Sequence, residues 1–197
     1  MNTVFEPIHN AFFQNQSVVD AEFEFRFGKI NDNYFDTDIG EEIFHKILRG
    51  LEKYKGWEEI VPIKTSVYSK GDLRMIINED TDEESFMKKK NIFKNNFKLS
   101  EKRFDFRFSL STETPVQGLD TEDQIMDTVR TKNRISFIRK NLSIDMTVVT
   151  GDPSDLDCEE EARYEIELEI IDPKNVKDRN ELFNIVQKLF DVLKIIE

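Results

Sequence analysis

The sequence has few residues of the kinds that disulfide frameworks, thiolate clusters and flexible linkers require. Its 197 residues include one cysteine, two histidines, seven glycines and five prolines. One cysteine excludes an internal disulfide, and a zinc site or serine triad would need His9 or His45 with partners that the sequence does not offer. We interpret Cys158 as structural, because its carboxylate neighbours disfavour a thiolate.

The sequence also lacks long apolar runs and an excess of basic over acidic residues. No stretch approaches the roughly 18 apolar residues needed to cross a bilayer, and the N-terminus lacks a signal-peptide pattern. The formal net charge of −12 excludes a broad basic surface that wraps nucleic acid, but it is compatible with a local basic pocket. We therefore expect a single domain, residues 1–197, in an intracellular protein without membrane contact.

Phenylalanine, in contrast, is abundant, with 17 residues, and much of it alternates with charged residues. In "EFEFRFG", Glu22, Glu24 and Arg26 face one way and three rings face the other. This period-two alternation predicts eight strands in a mainly antiparallel sheet, since few helical crossovers separate them. The predicted strands cover residues 20–27, 61–68, 72–77, 86–93, 103–112, 128–138, 142–149 and 163–171.

Helical periodicity is confined to three segments. The stretches "GEEIFHKILRGLEKYKG" and "NELFNIVQKLFDVLKII" each carry an apolar stripe, which predicts helices that pack on a larger body. A shorter and weaker helix is predicted near "FEPIHNAFFQ".

Two predicted strands carry rows of carboxylates. Glu22 and Glu24 share a face of the first, and Glu165, Glu167 and Glu169 share a face of "RYEIELEI". Same-face neighbours on a strand are about 7 Å apart, so these carboxylates repel each other unless water screens them or a cation binds among them. Oxygen-only ligands favour Mg²⁺ or Mn²⁺.

A third strand, "VRTKNRIS", places Arg130, Lys132 and Arg134 on one face. A charged face on any single strand is equally typical of a sheet with one side in water. The charged strands taken together favour a closed barrel, with apolar residues outward beneath helices and charged residues around a hydrated lumen. Such a lumen suits a substrate that carries a metal ion and several phosphates, with a glutamate to orient or deprotonate water.

The segments "EFEFRFG" and "YEIELEI" resemble the first and last signature strands of the triphosphate tunnel metalloenzymes. Between them "LRMII", "FMKKKNIF", "DFRFSLSTETPV", "VRTKNRIS" and "LSIDMTVV" follow in the family's order. Within the family the chain resembles the metal-dependent RNA 5′-triphosphatases of fungal, protozoan and large-DNA-virus mRNA capping, and its compactness resembles the viral members. The resemblance implies a mainly β fold, an eight-stranded antiparallel tunnel, that removes the γ-phosphate of 5′-triphosphate RNA as the first step of capping.

The resemblance also implies the roles of individual residues. The metal ion is expected on Glu22, Glu24 and Glu169, with Glu165 and Glu167 organising metal and water and Glu113 positioning the attacking water. Arg74, Lys89, Arg130, Lys132 and Arg134 are expected to bind phosphate, Arg26 and Arg107 to contact the substrate further, and Asp145 to orient the basic cluster. The lysine of "MKKKN" is ambiguous by one register step, and we assign it to Lys89.

The expected partners are the 5′-triphosphate end of RNA, free NTP, and an RNA guanylyltransferase in another domain or protein, because the chain has no "KxDG" motif. A monomer in the cytoplasm (a viral factory or virion) or nucleus is expected. One alternative is a nucleoside triphosphate or polyphosphate phosphatase with the same tunnel, although those relatives carry lysine where this chain has Arg26. Another is a non-catalytic barrel that binds RNA ends, which would not require so many carboxylates.

Overall fold

The computed structural model of the protein describes residues 2–32, 34–117, 126–151 and 162–197. The helices are α1 (Asn2–Asn15), α2 (Glu41–Lys53) and α3 (Arg179–Leu193). The strands are β1 (Ala21–Asn31), β2 (Tyr34–Asp36), β3 (Glu59–Lys70), β4 (Leu73–Asn78), β5 (Glu84–Phe97), β6 (Asp105–Pro115), β7 (Thr128–Arg139), β8 (Leu142–Thr150) and β9 (Arg163–Ile170). Cys158, predicted to be structural, lies outside the described residues.

Eight of these strands close into an antiparallel barrel, as the alternation predicts. The order around the barrel is β1-β6-β5-β4-β3-β7-β8-β9, and β9 pairs back onto β1. The closing register places Glu24 opposite Glu169 and Arg26 opposite Glu167. The first and last strands of the chain are therefore neighbours, and their carboxylate rows share one wall.

The alternation of the sequence does not predict β2, a short strand that pairs with the end of β1 outside the closed ring. Its three residues are too few to show a period. Gly28 of β1 permits its close approach, since a Cβ there would lie 2.1 Å from the carbonyl oxygen of Asp36. The glycine that ends "EFEFRFG" therefore allows β2 to pack against β1.

The phenylalanine face of β1 forms part of the main hydrophobic core. Phe23, Phe25 and Phe27 are buried with the outward residues of β6, β8 and β9, beneath apolar stripes of α1, α2 and α3. Burying a large aromatic side chain contributes roughly 1.5–3 kcal/mol relative to leaving it exposed. The rings thus anchor the strand whose opposite face carries Glu22, Glu24 and Arg26.

Helix α1 is longer than the sequence predicts and continues through Pro7. Its buried residues Phe5, Ile8 and Phe12 belong to the main core, and Glu6 forms an ion pair with Arg179 of α3. Packing of an apolar face commonly outweighs a weak intrinsic propensity, which explains why the periodicity underestimates this helix. None of the described helices is long and apolar enough to span a membrane.

The helices cover only part of the barrel. On β3 and β5 the outward residues Lys64, Lys88 and Lys90 are exposed, and Ile60 is 51% exposed. The expectation that helices cover the outward faces therefore holds for β1, β6, β8 and β9, and Phe97 at the end of β5 also belongs to the core, whereas β3 and the first part of β5 have largely exposed outer faces. The carboxylate strands lie on the covered side of the barrel.

Candidate active site

The acidic wall of the barrel interior consists of β1 and β9. Glu24, Glu165 and Glu167 are buried, and their strands alternate them with core residues that face the helices. Two serines of β6 support the β1 carboxylates: Ser109 donates to Glu24 over 2.9 Å, and Ser111 donates to Glu22 over 2.8 Å. These carboxylates are held in place by neighbouring strands.

The basic wall is built mainly from β7, β4 and β5. All of the predicted site residues except Asp145 line one cavity of about 540 Å³ inside the barrel. They are Glu22, Glu24, Arg26, Arg74, Lys89, Arg107, Glu113, Arg130, Lys132, Arg134, Glu165, Glu167 and Glu169. The interior therefore holds both signs of charge, which is the arrangement that a metal–phosphate ligand requires.

Arg26 connects the two carboxylate strands. Its guanidinium group contacts Glu167, lies 3.4 Å from Glu24 and lies 4.0 Å from Glu165. Burial alone raises the pKa of Glu167, but Arg26, Lys132 and Arg134 outweigh it and lower that pKa to about 2. Glu167 is therefore ionised at neutral pH, and Arg26 offsets its charge.

Lys89 is the lysine of "MKKKN" that enters the barrel. Its ammonium group lies 2.5 Å from Glu22 and 2.8 Å from Glu113, whereas Lys88 and Lys90 are exposed. The register across the barrel wall explains this choice, because Lys89 pairs with Glu113 on β6. Lys89 thus forms ion pairs with two carboxylates, one on β1 and one on β6.

Glu169 is the carboxylate with the least compensation. Burial, followed by the charges of Glu22 and Asp145, raises its pKa to about 8 despite the opposing effect of Arg134. A cation near Glu169 and Glu24, which are paired in register, would remove this cost. The pKa shift and the all-oxygen donor set fit a hard divalent cation.

The three expected metal ligands do not converge on one point in this arrangement of side chains. Within the described ranges, no three histidine, cysteine or acidic side chains are positioned as a formed metal site. Glu22 turns toward Lys89, and Glu24 accepts a hydrogen bond from Ser109. Binding of an ion by Glu22, Glu24 and Glu169 would require rotation of side chains, without a change of strand register.

Asp145 of β8 lies between Ser136 of β7 and Glu167 of β9 and is not among the residues that line the cavity. It is almost fully buried, accepts a hydrogen bond from Ser143 and lies 3.2 Å from Arg134. Arg134 also approaches Glu167, at 3.7 Å. Asp145 is thus in a position to hold Arg134, as the expectation that it orients the basic cluster requires.

Several polar residues around the cavity were not predicted. Lys94 of β5 lines it, Thr37 donates to Glu165 over 2.7 Å, and the buried hydroxyl of Thr147 has no partner among the described residues. A bulge between Asn91 and Phe93 shifts the alternation of β5, which conceals Lys94 from a strict period-two pattern. Ser109 and Ser111 share the inward face of β6 with Glu113, a relation that the alternation could have revealed.

An uncharged strip also lines the cavity, contrary to a lumen of ionisable groups alone. It is formed mainly by β3 and β4, where Ile63, Val67 and Ile76 point inward, with Met87 and Val149 on neighbouring strands. On β3 the inward Ile63 and Val67 alternate with the more polar Lys64 and Ser66 on the outward face. Because the apolar residues of β1 point outward instead, hydropathy alone does not indicate which face is inside.

The chain matches a known protein family over most of its length. The chain matches the family model described as mRNA capping enzyme, beta chain (mRNA triphosphatase) over residues 10–197. No curated protein sequence matches the chain.

Solved structures with a similar fold include RNA triphosphatases from a yeast and a virus. The S. pombe Pct1 RNA triphosphatase has a TM-score of 0.81 at 18% identity, covering 98% of this chain and 92% of that chain. Its complex with the Spt5 CTD has a TM-score of 0.82 at 16% identity, covering 96% and 92%. The Mimivirus capping enzyme triphosphatase has a TM-score of 0.67 at 18% identity, covering 98% of both chains. At these identities the structural likeness establishes a shared fold.

Proposed function

Because the chain belongs to the mRNA capping enzyme beta chain family of RNA triphosphatases, we propose that it hydrolyses the γ-phosphate of 5′-triphosphate RNA. The products are a 5′-diphosphate RNA end and phosphate. The observation that carries the proposal is the pairing of β1 with β9, which sets two carboxylate rows side by side in a cavity that β7 lines with cations. Phosphoryl transfer depends mainly on positioning and on neutralising charge, and this interior is suited to both.

Glu22, Glu24 and Glu169 would hold the metal ion, Mg²⁺ or Mn²⁺. When bound there, it neutralises charge on the phosphate oxygens and so lowers the barrier to attack. The donor set supports this assignment, because Glu169 has a raised pKa that the nearby Arg134 offsets only in part.

The basic residues would bind the remaining phosphate oxygens. Arg130, Lys132 and Arg134 lie along one strand, and Arg74 and Lys89 extend the set to β4 and β5. Asp145 would keep Arg134 in place, and Arg26 would hold Glu165 and Glu167 while offering its remaining N–H groups to substrate. Charge-assisted hydrogen bonds of this kind are about twice as strong as neutral ones.

Glu113 would position the attacking water and accept its proton. As the water oxygen bonds to the γ-phosphorus, the bond from that phosphorus to the β,γ-bridging oxygen breaks, and the diphosphate end leaves. Glu165 and Glu167 would help to orient the water and the ion. Glu113 contacts Lys89, so the base and a phosphate-binding cation are held together at 2.8 Å.

The test is release of phosphate from γ-labelled triphosphate RNA with Mg²⁺ or Mn²⁺. Glu22→Gln and Glu169→Gln should each reduce the rate by at least about a hundredfold, since each removes a charged ligand while keeping its shape. Glu42→Gln, an exposed carboxylate on α2, is the matched control. Wild-type rates in both site variants would refute the site assignment.

A second candidate is hydrolysis of free NTP or polyphosphate in the same cavity. It is favoured by the lining, where charged residues suited to phosphate predominate and few groups could read a base. Comparing kcat/KM for triphosphate RNA, ATP and tripolyphosphate with Mg²⁺ distinguishes the candidates. Tight binding of all three without turnover would instead indicate the non-catalytic barrel.

The proposed product implies a partner enzyme. A 5′-diphosphate end is the substrate for guanylylation, and the chain has no "KxDG" motif. We therefore propose that a guanylyltransferase in another domain or protein acts next, in the cytoplasm or nucleus where capping takes place.

A further inference from the structure

Charge changes sign along the three neighbouring strands β1, β6 and β5. Glu22, Ser111 and Asn91 occupy one register level, Glu24, Ser109 and Lys94 the next, and Arg26, Arg107 and Asn96 the third. Each level is about 7 Å from the next along the strands. The carboxylates thus give way to cations toward the end where β1 meets β2.

Arg107 is held in place at this end. Its Nε donates to Asn96 over 2.8 Å, and its guanidinium group lies 4.5 Å from the centre of the Phe35 ring. Phe35 lies over Gly28, where a Cβ would be 2.5 Å from the ring. The absence of a side chain at Gly28 therefore lets β2 supply an aromatic support for Arg107, which leaves the terminal N–H groups of Arg107 for a ligand.

Lys94 lies in the same part of the cavity, opposite Ser109 and so one register level from Arg107. Neither Lys94 nor Arg107 forms an ion pair with a carboxylate of residues 2–32, 34–117, 126–151 or 162–197, whereas Arg26, Lys89 and Arg134 do. Burial, Arg107 and Arg26 lower the pKa of Lys94, and Glu24 offsets this only in part. Burial and Arg26 likewise lower the pKa of Arg107. An anion at this position would relieve the repulsion.

We propose that Lys94 and Arg107 form a second anion subsite, which binds the phosphodiester that follows the first nucleotide of the RNA. The inference rests on the proposed function. In the proposed function the cations of β7, β4 and Lys89 bind the triphosphate, so a further pair on β5 and β6, at the levels of Glu24 and Arg26, suits another charge of the substrate. RNA carries that charge, whereas NTP and tripolyphosphate do not. The subsite would therefore favour RNA ends over free nucleotides.

The experiment compares Lys94→Ala with wild type on a five-nucleotide 5′-triphosphate RNA, ATP and tripolyphosphate. The ratio of kcat/KM for RNA to kcat/KM for tripolyphosphate should fall about tenfold, as expected for loss of one charge-assisted contact. Lys94→Arg should restore most of this ratio. Lys90→Ala is the matched control, because Lys90 lies on the same strand and is exposed on the outer face.

An unchanged ratio in Lys94→Ala overturns the subsite. A uniform loss on all three substrates would overturn it too, because Lys94 would then serve the triphosphate or the released phosphate. If the wild-type protein releases no phosphate from RNA, the proposed function fails. The subsite is then tested separately by measuring ligand binding. In that case Lys94→Ala should weaken binding of 5′-diphosphate RNA about tenfold relative to ADP, and equal weakening overturns the subsite.

Discussion

Single side chains in the barrel differ in how well their charges are compensated. Glu167 has Arg26, Lys132 and Arg134 near it, whereas Glu169 has mostly carboxylate neighbours. The two residues are on one strand and two positions apart, so their different environments come from the strands paired beside them. This contrast makes Glu169 costly in the metal-free protein.

We predict that Glu169→Gln stabilises the metal-free protein at alkaline pH. The folded-state pKa of about 8 exceeds the ordinary value of 4.5, so Glu169 takes up a proton on folding and lowers stability as pH rises through this interval. In EDTA, the variant should therefore melt a few degrees above wild type at pH 8.5 and close to it at pH 4.5. Thermal unfolding at both pH values measures this.

Manganese supplies the control for this prediction. Mn²⁺ should raise the melting temperature of the wild-type protein and raise that of Glu169→Gln much less, because a ligand that binds only the folded state stabilises it. Equal melting temperatures of the two proteins in EDTA at pH 8.5 would contradict the environment described for Glu169.

Arg26 should be among the most important single residues for stability. Arg26→Ala leaves Glu24, Glu165 and Glu167 without their shared cation, and loss of one partner from a buried ion pair costs about 3–5 kcal/mol. Urea unfolding at pH 7 would measure the loss. Arg26→Lys should lose less, since it keeps the charge.

Arg163→Ala is the comparison for Arg26, because Arg163 also pairs with a carboxylate, Asp36, but lies half-exposed. An exposed pair of this type contributes about 0–1 kcal/mol. Similar losses in Arg26→Ala and Arg163→Ala would show that solvent screens the interior pair as well.

At the scale of elements, the strands with a charged face and an apolar face were predictable and the irregular ones were not. The alternation in β1, β7 and β9 identified their inward residues. The alternation did not identify the short β2 or the bulge in β5, because neither feature has a period. Phe35 of β2 and Lys94, which follows the bulge, were therefore not predicted. The roles of the cavity residues stay predictions, since position alone does not establish chemistry.

The contact between β1 and β2 depends on Gly28. In Gly28→Ala the new methyl group would meet the backbone oxygen of Asp36 at 2.1 Å, which the strand pair cannot absorb without moving. We expect a loss of about 1–3 kcal/mol in the free energy of unfolding, measured with urea.

Gly50→Ala offers the contrast for Gly28. A Cβ at Gly50 would meet Cγ2 of Ile195 at 2.5 Å, a partly buried side chain that follows α3 and is not part of a paired strand, and alanine favours the helix by about 1 kcal/mol. That variant should therefore lie near wild type. Equal losses in the two variants would indicate that β2 moves as easily as the side chain.

On the scale of the whole molecule, a net charge of −12 surrounds a cavity rich in cations. The acidic exterior should repel the body of an RNA chain, so that attraction is confined to the phosphates that enter the barrel. The composition alone predicted that a broad basic surface is absent. It could not locate the basic pocket, because that depends on which strands close the barrel.

We therefore predict that substrate length has little effect. The KM values for triphosphate RNAs of five and twenty nucleotides should agree within about twofold, and both should rise with salt at similar slopes, because the number of neutralised phosphates is the same. Steady-state kinetics at several salt concentrations would measure both quantities. A KM that falls steadily with length would show an RNA-binding surface outside the cavity.

The one-sided helical layer has a consequence for motion. β1 and β9, with the carboxylates, lie beneath α1, α2 and α3, whereas β3 and the first part of β5 have exposed outer faces. Amide hydrogens of β1 and β9 should exchange slowly, and those of β3, β4 and the first part of β5 should exchange faster, since few buried contacts restrain these segments. Triphosphate bound across the barrel would contact both the more flexible strands and the rigid ones. Its binding should therefore slow amide hydrogen exchange in β4 and β5.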